Sequence, residues 1–346
     1  MNGSSVRIGV LAPLTPPGWD QAGRHLLAGA ELAVREVNDA GGIAGKPLEL
    51  LVRDTAADPR RAEAAVDELA RLGVAALAGE YHSVVARAAA ARAHALGLPF
   101  LCSSAVLDAL TDEPAEQVAR IAPAQSHGWR IYADFLLGAG HTRIAVAADP
   151  SVYWASGTRI LRDHLGEVIE LDMSAPVCDA LAGSRATALL LLVGHPEPAV
   201  SIVRAVRRDP RLAGITMGAP AGQPEFAAWE AALGEDGAGI PFLRYLPERL
   251  GPLGARVAAA LRERLPEPPS FVAFEGYDMI AVLAEALRTG GGGGAAWPDV
   301  AVEGTRGPIV FSRVPGIGVW QWAWPPVQVV DRDPARPGRL RVLHTG

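Results

Sequence analysis

Cysteine is nearly missing from this chain of 346 residues: Cys102 and Cys178 are the only two. They stand far apart, in segments that the pattern below assigns to different lobes, so a bridge between them is not expected. Free thiols fit a reducing compartment. No apolar run approaches the roughly 20 residues that a membrane-spanning helix requires. The longest candidate, Ala188 to Val193, reads as one buried strand. Clustered basic residues are lacking too: Lys and Arg total 32 against 38 Asp and Glu, a net charge of -6. A polyanion partner needs concentrated cations to displace counterions, so nucleic acid is excluded as a ligand. Met1 to Ser5 lead directly into an apolar strand, with no basic start, no long apolar core and no lipid-accepting cysteine. Read as written, the chain is expected in the cytoplasm. The alternative is an extracellular or periplasmic protein whose signal has been removed.

Enzyme signatures are missing as well. There is no G-x-S-x-G elbow, no H-E-x-x-H, no paired C-x-x-C and no G-x-G-x-x-G after a strand. Gly41-Gly42-Ile43-Ala44-Gly45-Lys46-Pro47 imitates a phosphate loop, but it is one residue short and Pro47 stands where a hydroxyl is needed. It reads as a turn into a strand. No catalytic residue, metal ligand or cofactor is expected.

What is present is alternation. In the first hundred residues, strand candidates Val6 to Leu11, Leu48 to Arg53, Val74 to Ala78 and Pro99 to Cys102 are separated by helices near Arg24 to Asn38, Pro59 to Leu72 and Ser83 to Ala95. Leu26, Leu27, Ala30, Ala33, Val34 and Val37 form a helical stripe, and Gly41-Gly42 ends it. Such βαβ punctuation implies a parallel sheet covered on both faces. A second series follows Arg120: helix Trp129 to Leu137, strand Arg143 to Ala148, helix Ser156 to His164, strands Val168 to Leu171 and Thr187 to Val193, helix Pro198 to Arg207 and strand Gly214 to Met217. Two long helices, Leu250 to Leu265 and Ser270 to Arg288, precede a glycine run at 290–294 that reads as a loop. Strands near Pro308 to Phe311, Gly318 to Trp322 and Val327 to Val330 close the chain. A chain this long exceeds what one core usually serves, so two lobes are expected.

Several blocks resemble the branched-chain amino-acid and amide binding proteins of the type I periplasmic binding fold. They are Arg7-Ile8-Gly9-Val10-Leu11-Ala12-Pro13-Leu14-Thr15, Gly29-Ala30-Glu31-Leu32-Ala33-Val34, Asn38-Asp39-Ala40-Gly41-Gly42-Ile43-Ala44-Gly45, and Asp54 at a strand end. Phe274-Glu275-Gly276-Tyr277-Asp278, Leu283-Ala284-Glu285-Ala286-Leu287 and Gly304-Thr305-Arg306-Gly307-Pro308-Ile309-Val310-Phe311 agree as well. Tyr277 and Asp278 belong to a block that reads as structural. The resemblance implies an α/β fold of two Rossmann-like lobes with parallel sheets flanked by helices and a three-strand hinge. Lobe 1 would take 1–122 and 247–320, and lobe 2 would take 123–246 and 321–346. The crossings fall near Ile121 to Ala124, Leu243 to Pro247 and Gly318 to Trp324. Three crossing strands would let the lobes close about a ligand.

Ligands of open parallel sheets bind beyond the carboxyl ends of the strands, which directs attention to the loops there. Ser83 reads as the cap of the next helix, and the resemblance makes it a ligand contact also. Tyr81 resembles the aromatic that the amide-sensing branch carries two residues before this serine. Glu80 is either a carboxylate for a cationic ligand or a solvated loop charge, and His82 reads as a solvent-facing loop residue. Ser103, Ser104 and Ala105 align with the loop that completes head-group recognition. Val106 stands near where the family has threonine, which points away from an ordinary α-amino acid. Trp19, in a Pro-Pro-Gly-Trp loop, reads as a pocket wall or as packing on its own loop. In the second lobe Tyr153 matches a ligand tyrosine, Trp154 replaces the following glycine, and Gln125, Ser126 and Ala219 to Gly222 are further candidates. Trp19, Tyr81 and Tyr153 would line an aromatic cleft. The function implied is non-enzymatic: a small-molecule binding protein that closes around a small polar ligand and works with an ABC permease. A cytoplasmic amide-type sensor acting on a regulatory protein is the alternative.

Overall fold

A computed structural model describes residues 5–290, 297–336 and 338–346. The expected glycine loop lies outside the described residues from 291 onward.

The chain begins with β1 (Val6–Ala12), α1 (Asp20–Asp39), β2 (Leu48–Asp54), α2 (Pro59–Arg71), β3 (Ala76–Gly79), α3 (Ser83–Ala95), β4 (Phe100–Cys102) and β5 (Val118–Arg120). Next come α4 (Gln125–Gly138), β6 (Ile144–Ala148), α5 (Val152–Leu165), β7 (Val168–Glu170), α6 (Val177–Ser184), β8 (Ala188–Leu192), α7 (Ala199–Arg208), β9 (Thr216–Gly218), α8 (Ala227–Leu233) and β10 (Phe242–Arg244). Then follow α9 (Pro252–Arg262), α10 (Phe271–Thr289), β11 (Ala301–Gly304), β12 (Gly307–Arg313), β13 (Trp320–Trp322), β14 (Gln328–Arg332) and β15 (Leu340–Thr345).

These elements form two compact units. Unit 1 holds residues 1–124 and 249–326, and unit 2 holds 125–248 and 327–346. The third boundary departs from the expected one. Residues 321–326 cluster with unit 1 because β13 pairs in parallel with β5, Trp320 opposite Ala119 and Gln321 opposite Arg120.

Unit 1 is built on an eight-stranded sheet in the order β11-β12-β13-β5-β4-β3-β1-β2. The pairs from β2 to β13 are parallel, while β12 and β11 are added antiparallel at one edge. Because β1 lies between β2 and β3, the strand order reverses there, the kind of position at which open α/β sheets form a ligand crevice. Local chemistry explains the helices around this sheet. Asp58 accepts the backbone N–H of Arg60 at 2.8 Å and Pro59 presets the first turn, so α2 starts where the sequence expects it. Helices α1 and α10 pack through glycines. A Cβ on Gly29 would stand 1.9 Å from the Ala273 carbonyl oxygen, and one on Gly276 would stand 2.0 Å from that of Leu26. Only the missing side chains allow these backbones to touch, and the contact fixes where the start of α10 lies relative to the sheet.

Unit 2 carries a four-stranded parallel sheet in the order β7-β6-β8-β9, reversing at β6. A separate antiparallel sheet, β10-β14-β15, was not expected from the pattern. Helices α6 and α8 were not expected either. Helix α6 has only Leu181 buried and no side-chain cap, so it carries neither an apolar stripe nor a start signal.

Candidate functional site

In unit 1 the crevice loops bring two of the expected aromatic residues together. Trp19, at the cap position of α1, and Tyr81, two residues past β3, have ring centroids 6.1 Å apart at 67°, an edge-on pair. Tyr81 also meets the His82 ring at 5.3 Å and 85°. The loop carrying Trp19 is held from behind by Asp54. Its carboxylate accepts from the Leu14 N–H at 2.8 Å, the Thr15 hydroxyl at 2.5 Å and the Ala56 N–H at 2.9 Å, with Arg61 at 3.2 Å. Burial would raise the pKa of Asp54, but these donors outweigh it and keep the group below the usual carboxylate range.

Glu80 is fully buried, not a solvated loop charge. One oxygen accepts the Thr55 hydroxyl at 2.7 Å. The other accepts the backbone N–H groups of Tyr81 and His82, each at 2.8 Å, and lies 3.2 Å from His82 Nδ1. The carboxylate thus folds the turn that presents Tyr81. His82, expected to face solvent, is half-buried against it. Ser83 is not the cap of α3. His82 occupies that position, without a side-chain cap bond, and Ser83 is the first helical residue. Its hydroxyl accepts the Leu107 N–H at 3.3 Å and so ties α3 to the loop after β4.

That loop is held at several points. Ser103, Ser104, Ala105, Val106 and Leu107 are all buried, and Ser104 donates to the Ser103 hydroxyl at 3.2 Å. The Ser103 N–H donates to the Gly79 carbonyl at 3.0 Å. Arg120, whose place in the sequence carries no signal of a site role, holds the loop through its carbonyls. It is fully buried and donates to the carbonyls of Val106 at 3.1 Å and Leu107 at 2.6 Å and to Gln321 Oε1 at 2.7 Å. Behind the loop lies a buried ionic cluster. Arg306 donates to Glu275 at 3.2 Å, to Asp278 at 2.9 Å and to the Ile121 carbonyl at 3.2 Å, with its guanidinium 5.0 Å from the centre of the Trp322 ring. Burial pushes Glu275 up to about 7 against the pull of Arg306. Cys102, at the end of β4, is buried, and burial pushes its thiol up to about 12. Both cysteines are free, Cys102 in unit 1 and Cys178 in unit 2.

Unit 2 brings three of the expected residues together, Gln125, Tyr153 and Trp154. Ser151 caps α5 by accepting the Trp154 N–H at 3.1 Å. The helix therefore begins at Val152, four residues before its expected start, and Tyr153 and Trp154 stand in its first turn. Their rings are 4.7 Å apart, and both meet the buried Trp129 of α4, at 6.0 and 6.4 Å. Gln125, the first residue of α4, is buried and donates to the Tyr153 carbonyl at 3.1 Å, while its own Oε1 has no hydrogen-bond partner. Burial pushes the Tyr153 phenol well above the ordinary tyrosine range. Ala219 follows β9, fully buried, with its N–H donated to the Pro241 carbonyl at 2.8 Å. Gln223, beyond it, donates to the Val193 carbonyl at 3.1 Å.

Among the described residues, no group of three or more His, Cys, Asp or Glu side chains could hold a metal ion, and no helix is long and apolar enough to cross a membrane.

Known proteins share this architecture. A protein from Streptococcus pneumoniae, the branched-chain amino acid transporter substrate binding protein LivJ solved with isoleucine, superposes with a TM-score of 0.82 at 19% identity over 99% of this chain and 100% of that one. A solute binding protein of an ABC transporter from R. palustris, solved with benzoate, gives 0.79 at 18% identity over 99% and 96%. In sequence, Leu/Ile/Val-binding protein homolog 1 of Brucella abortus (strain 2308) is 34% identical over 82 residues, 24% of this chain and 22% of that protein. Homolog 3 of Brucella melitensis is 28% identical over 151 residues, 43% of this chain and 41% of that one. The chain thus spans less than half the length of these two curated relatives. A family model described as periplasmic binding protein matches residues 5–306. The chain therefore belongs to the periplasmic binding protein family, a family of binding proteins and not of enzymes.

Proposed function

We propose that this chain is the substrate-binding component of an ABC-type uptake system and takes a small ligand with an oxygen-bearing head group. The reading is supported by the reversal of strand order in unit 1 and by the edge-on Trp19–Tyr81 pair on the loops after β1 and β3; the hydroxyls of Ser83, Ser103 and Ser104 belong to the same unit. Hydroxyls and backbone N–H groups favour a carboxylate or an amide carbonyl. The aromatic pair suits a planar or branched apolar body. In this reading Glu80 presents Tyr81 and does not touch the ligand, because both its oxygens are engaged. On unit 2, Tyr153, Trp154, Gln125 and Ala219 are the residues we assign to ligand binding. Transport implies a permease partner and a location outside the cytoplasmic membrane. The sensor alternative draws nothing from the relatives, which are named for binding and transport.

A thermal-shift screen tests the reading, with isoleucine, leucine, benzoate, p-hydroxybenzoate, aliphatic amides and polyamines as probes. A ligand at a hundredfold its dissociation constant adds about 2.7 kcal/mol of apparent stability. Loss of that shift in Trp19→Ala and Tyr81→Ala is the expected result. A shift that survives both substitutions and Ser83→Ala places the site elsewhere.

A further inference from the structure

We propose that His82 is a specificity-determining residue: the buried Glu80 carboxyl group fixes its ring so that Nε2 accepts a hydrogen bond from a hydroxyl or N–H group on the body of the ligand. The inference rests on the reading of the Trp19–Tyr81 pair as the wall that holds this body, and deepens it to a planar ligand that carries a donor.

Glu80 decides which ring nitrogen bears the hydrogen. Its Oε1 receives the backbone N–H groups of Tyr81 and His82, each at 2.8 Å, and its Oε2 receives the Thr55 hydroxyl at 2.7 Å. A backbone N–H can only donate, so Oε1 is an acceptor. His82 Nδ1 lies 3.2 Å from the same oxygen and is therefore the nitrogen that carries the hydrogen toward it. A neutral imidazole has a single N–H, so Nε2 keeps its lone pair. The carboxyl group is fully buried and held by all of these donors, which fixes the ring from within the fold. Among the described residues Nε2 has no hydrogen-bond partner, and 28% of the His82 side chain remains exposed. Bracing Glu80 uses Nδ1 alone.

The place of the ring connects it to the ligand. His82 follows the carboxyl end of β3, beside the point where the strand order of unit 1 reverses. Its ring meets that of Tyr81 edge-on at 5.3 Å and 85°, and Tyr81 meets Trp19 at 6.1 Å and 67°. Three rings from two loops thus form one run. Within it the Trp19 indole can only donate and the Tyr81 hydroxyl can do either, whereas His82 supplies a nitrogen that accepts. An acceptor at a fixed position rewards an O–H or N–H on the ligand and gives nothing to a C–H or C–F of similar shape.

The test uses benzoate and its meta- and para-substituted hydroxy and fluoro forms, compared by calorimetry at pH 8. Fluorine is close to hydroxyl in size but carries no hydrogen. One hydroxy form is expected to bind about tenfold more tightly than both benzoate and the fluoro form substituted at the same position. His82→Phe keeps a ring against Tyr81 and removes the acceptor, so it should bring that ratio close to one. A purely structural role for His82 would instead weaken all probes alike and preserve the ratio. A second readout needs no ligand. Nitrogen NMR at pH 8, with His82→Phe identifying the His82 signals, should show a hydrogen on Nδ1 and none on Nε2. The proposal is overturned by equal affinity for hydroxy and fluoro forms, by a ratio that survives His82→Phe, or by an Nδ1 without hydrogen. Equal affinities that are nonetheless lost in Tyr81→Ala remove the role of His82 and leave the aromatic wall standing. If no probe binds, both fall. Should His82→Phe not fold, the order of affinities in wild type decides alone.

Discussion

Arg120 donates from Nη1 to the Leu107 carbonyl at 2.6 Å, so a fully buried guanidinium at the end of β5 supports the loop that carries Ser103 and Ser104. The same group reaches Val106 and Gln321. Arg120→Met would keep the bulk and remove the donors, leaving buried acceptors without partners. The expected loss is about 3 kcal/mol of stability, read from urea unfolding. Any ligand found by thermal shift should bind more weakly to the folded variant.

Gly157 faces Trp129 across α4 and α5. A Cβ there would fall 2.1 Å from the indole ring, and that ring is buried. Gly157→Ala must therefore displace Trp129 and, with it, the rings of Tyr153 and Trp154. A cost of about 1–3 kcal/mol is expected, with an altered near-ultraviolet circular dichroism spectrum. An unchanged spectrum at wild-type stability would contradict this packing.

Glu275 should leave a signature in the pH dependence of stability. Its pKa is raised by burial to about 7 in the fold from 4.5, so the native state holds the proton more tightly than the unfolded chain. Stability is then expected to fall as pH rises from roughly 4.5 through 7, by at most about 1.4 kcal/mol per unit from this group. His25 acts in the opposite sense: burial lowers its pKa below 6.5, so its contribution is lost as pH falls below that value. The difference between wild type and Glu275→Gln isolates the contribution of Glu275. Parallel curves for the two proteins would show that Glu275 does not titrate in this range.

The two thiols should differ in reactivity. Cys102 is buried and its thiol is pushed up to about 12, whereas Cys178 is partly exposed. A thiolate reagent should modify Cys178 slowly in the native protein, spare Cys102, and count two groups after denaturation. Finding none after denaturation without a reductant would mean that the cysteines are oxidised.

The alternation of short apolar runs with helical stripes is local, and it predicted mainly parallel strands in both main sheets. The helix expected over Pro59 to Leu72 is α2, and Ser83 to Ala95 was legible as α3 to the residue. Elements with weak local signals were not legible. Strand β5 is three residues long, and β15 shows no burial alternation. At the candidate site, the positions of Trp19 and Tyr81 after their strands followed from the parallel pattern, but their 6.1 Å approach did not. It needs the β2-β1-β3 order, which no single segment encodes.

By itself the sequence determined which residues stand at strand ends, because side-chain periodicity and turn chemistry act over a few neighbours. The tertiary structure decided what those residues do. Glu80 became an internal brace only when Thr55, 25 positions away, reached its carboxylate. Arg120 gained its role from Gln321, 201 positions on, and Arg306 from Glu275 and Asp278 on another element. Burying a charge is tolerated only where distant groups converge to satisfy it. That convergence is a property of strand order and helix packing, not of any local stretch of the chain.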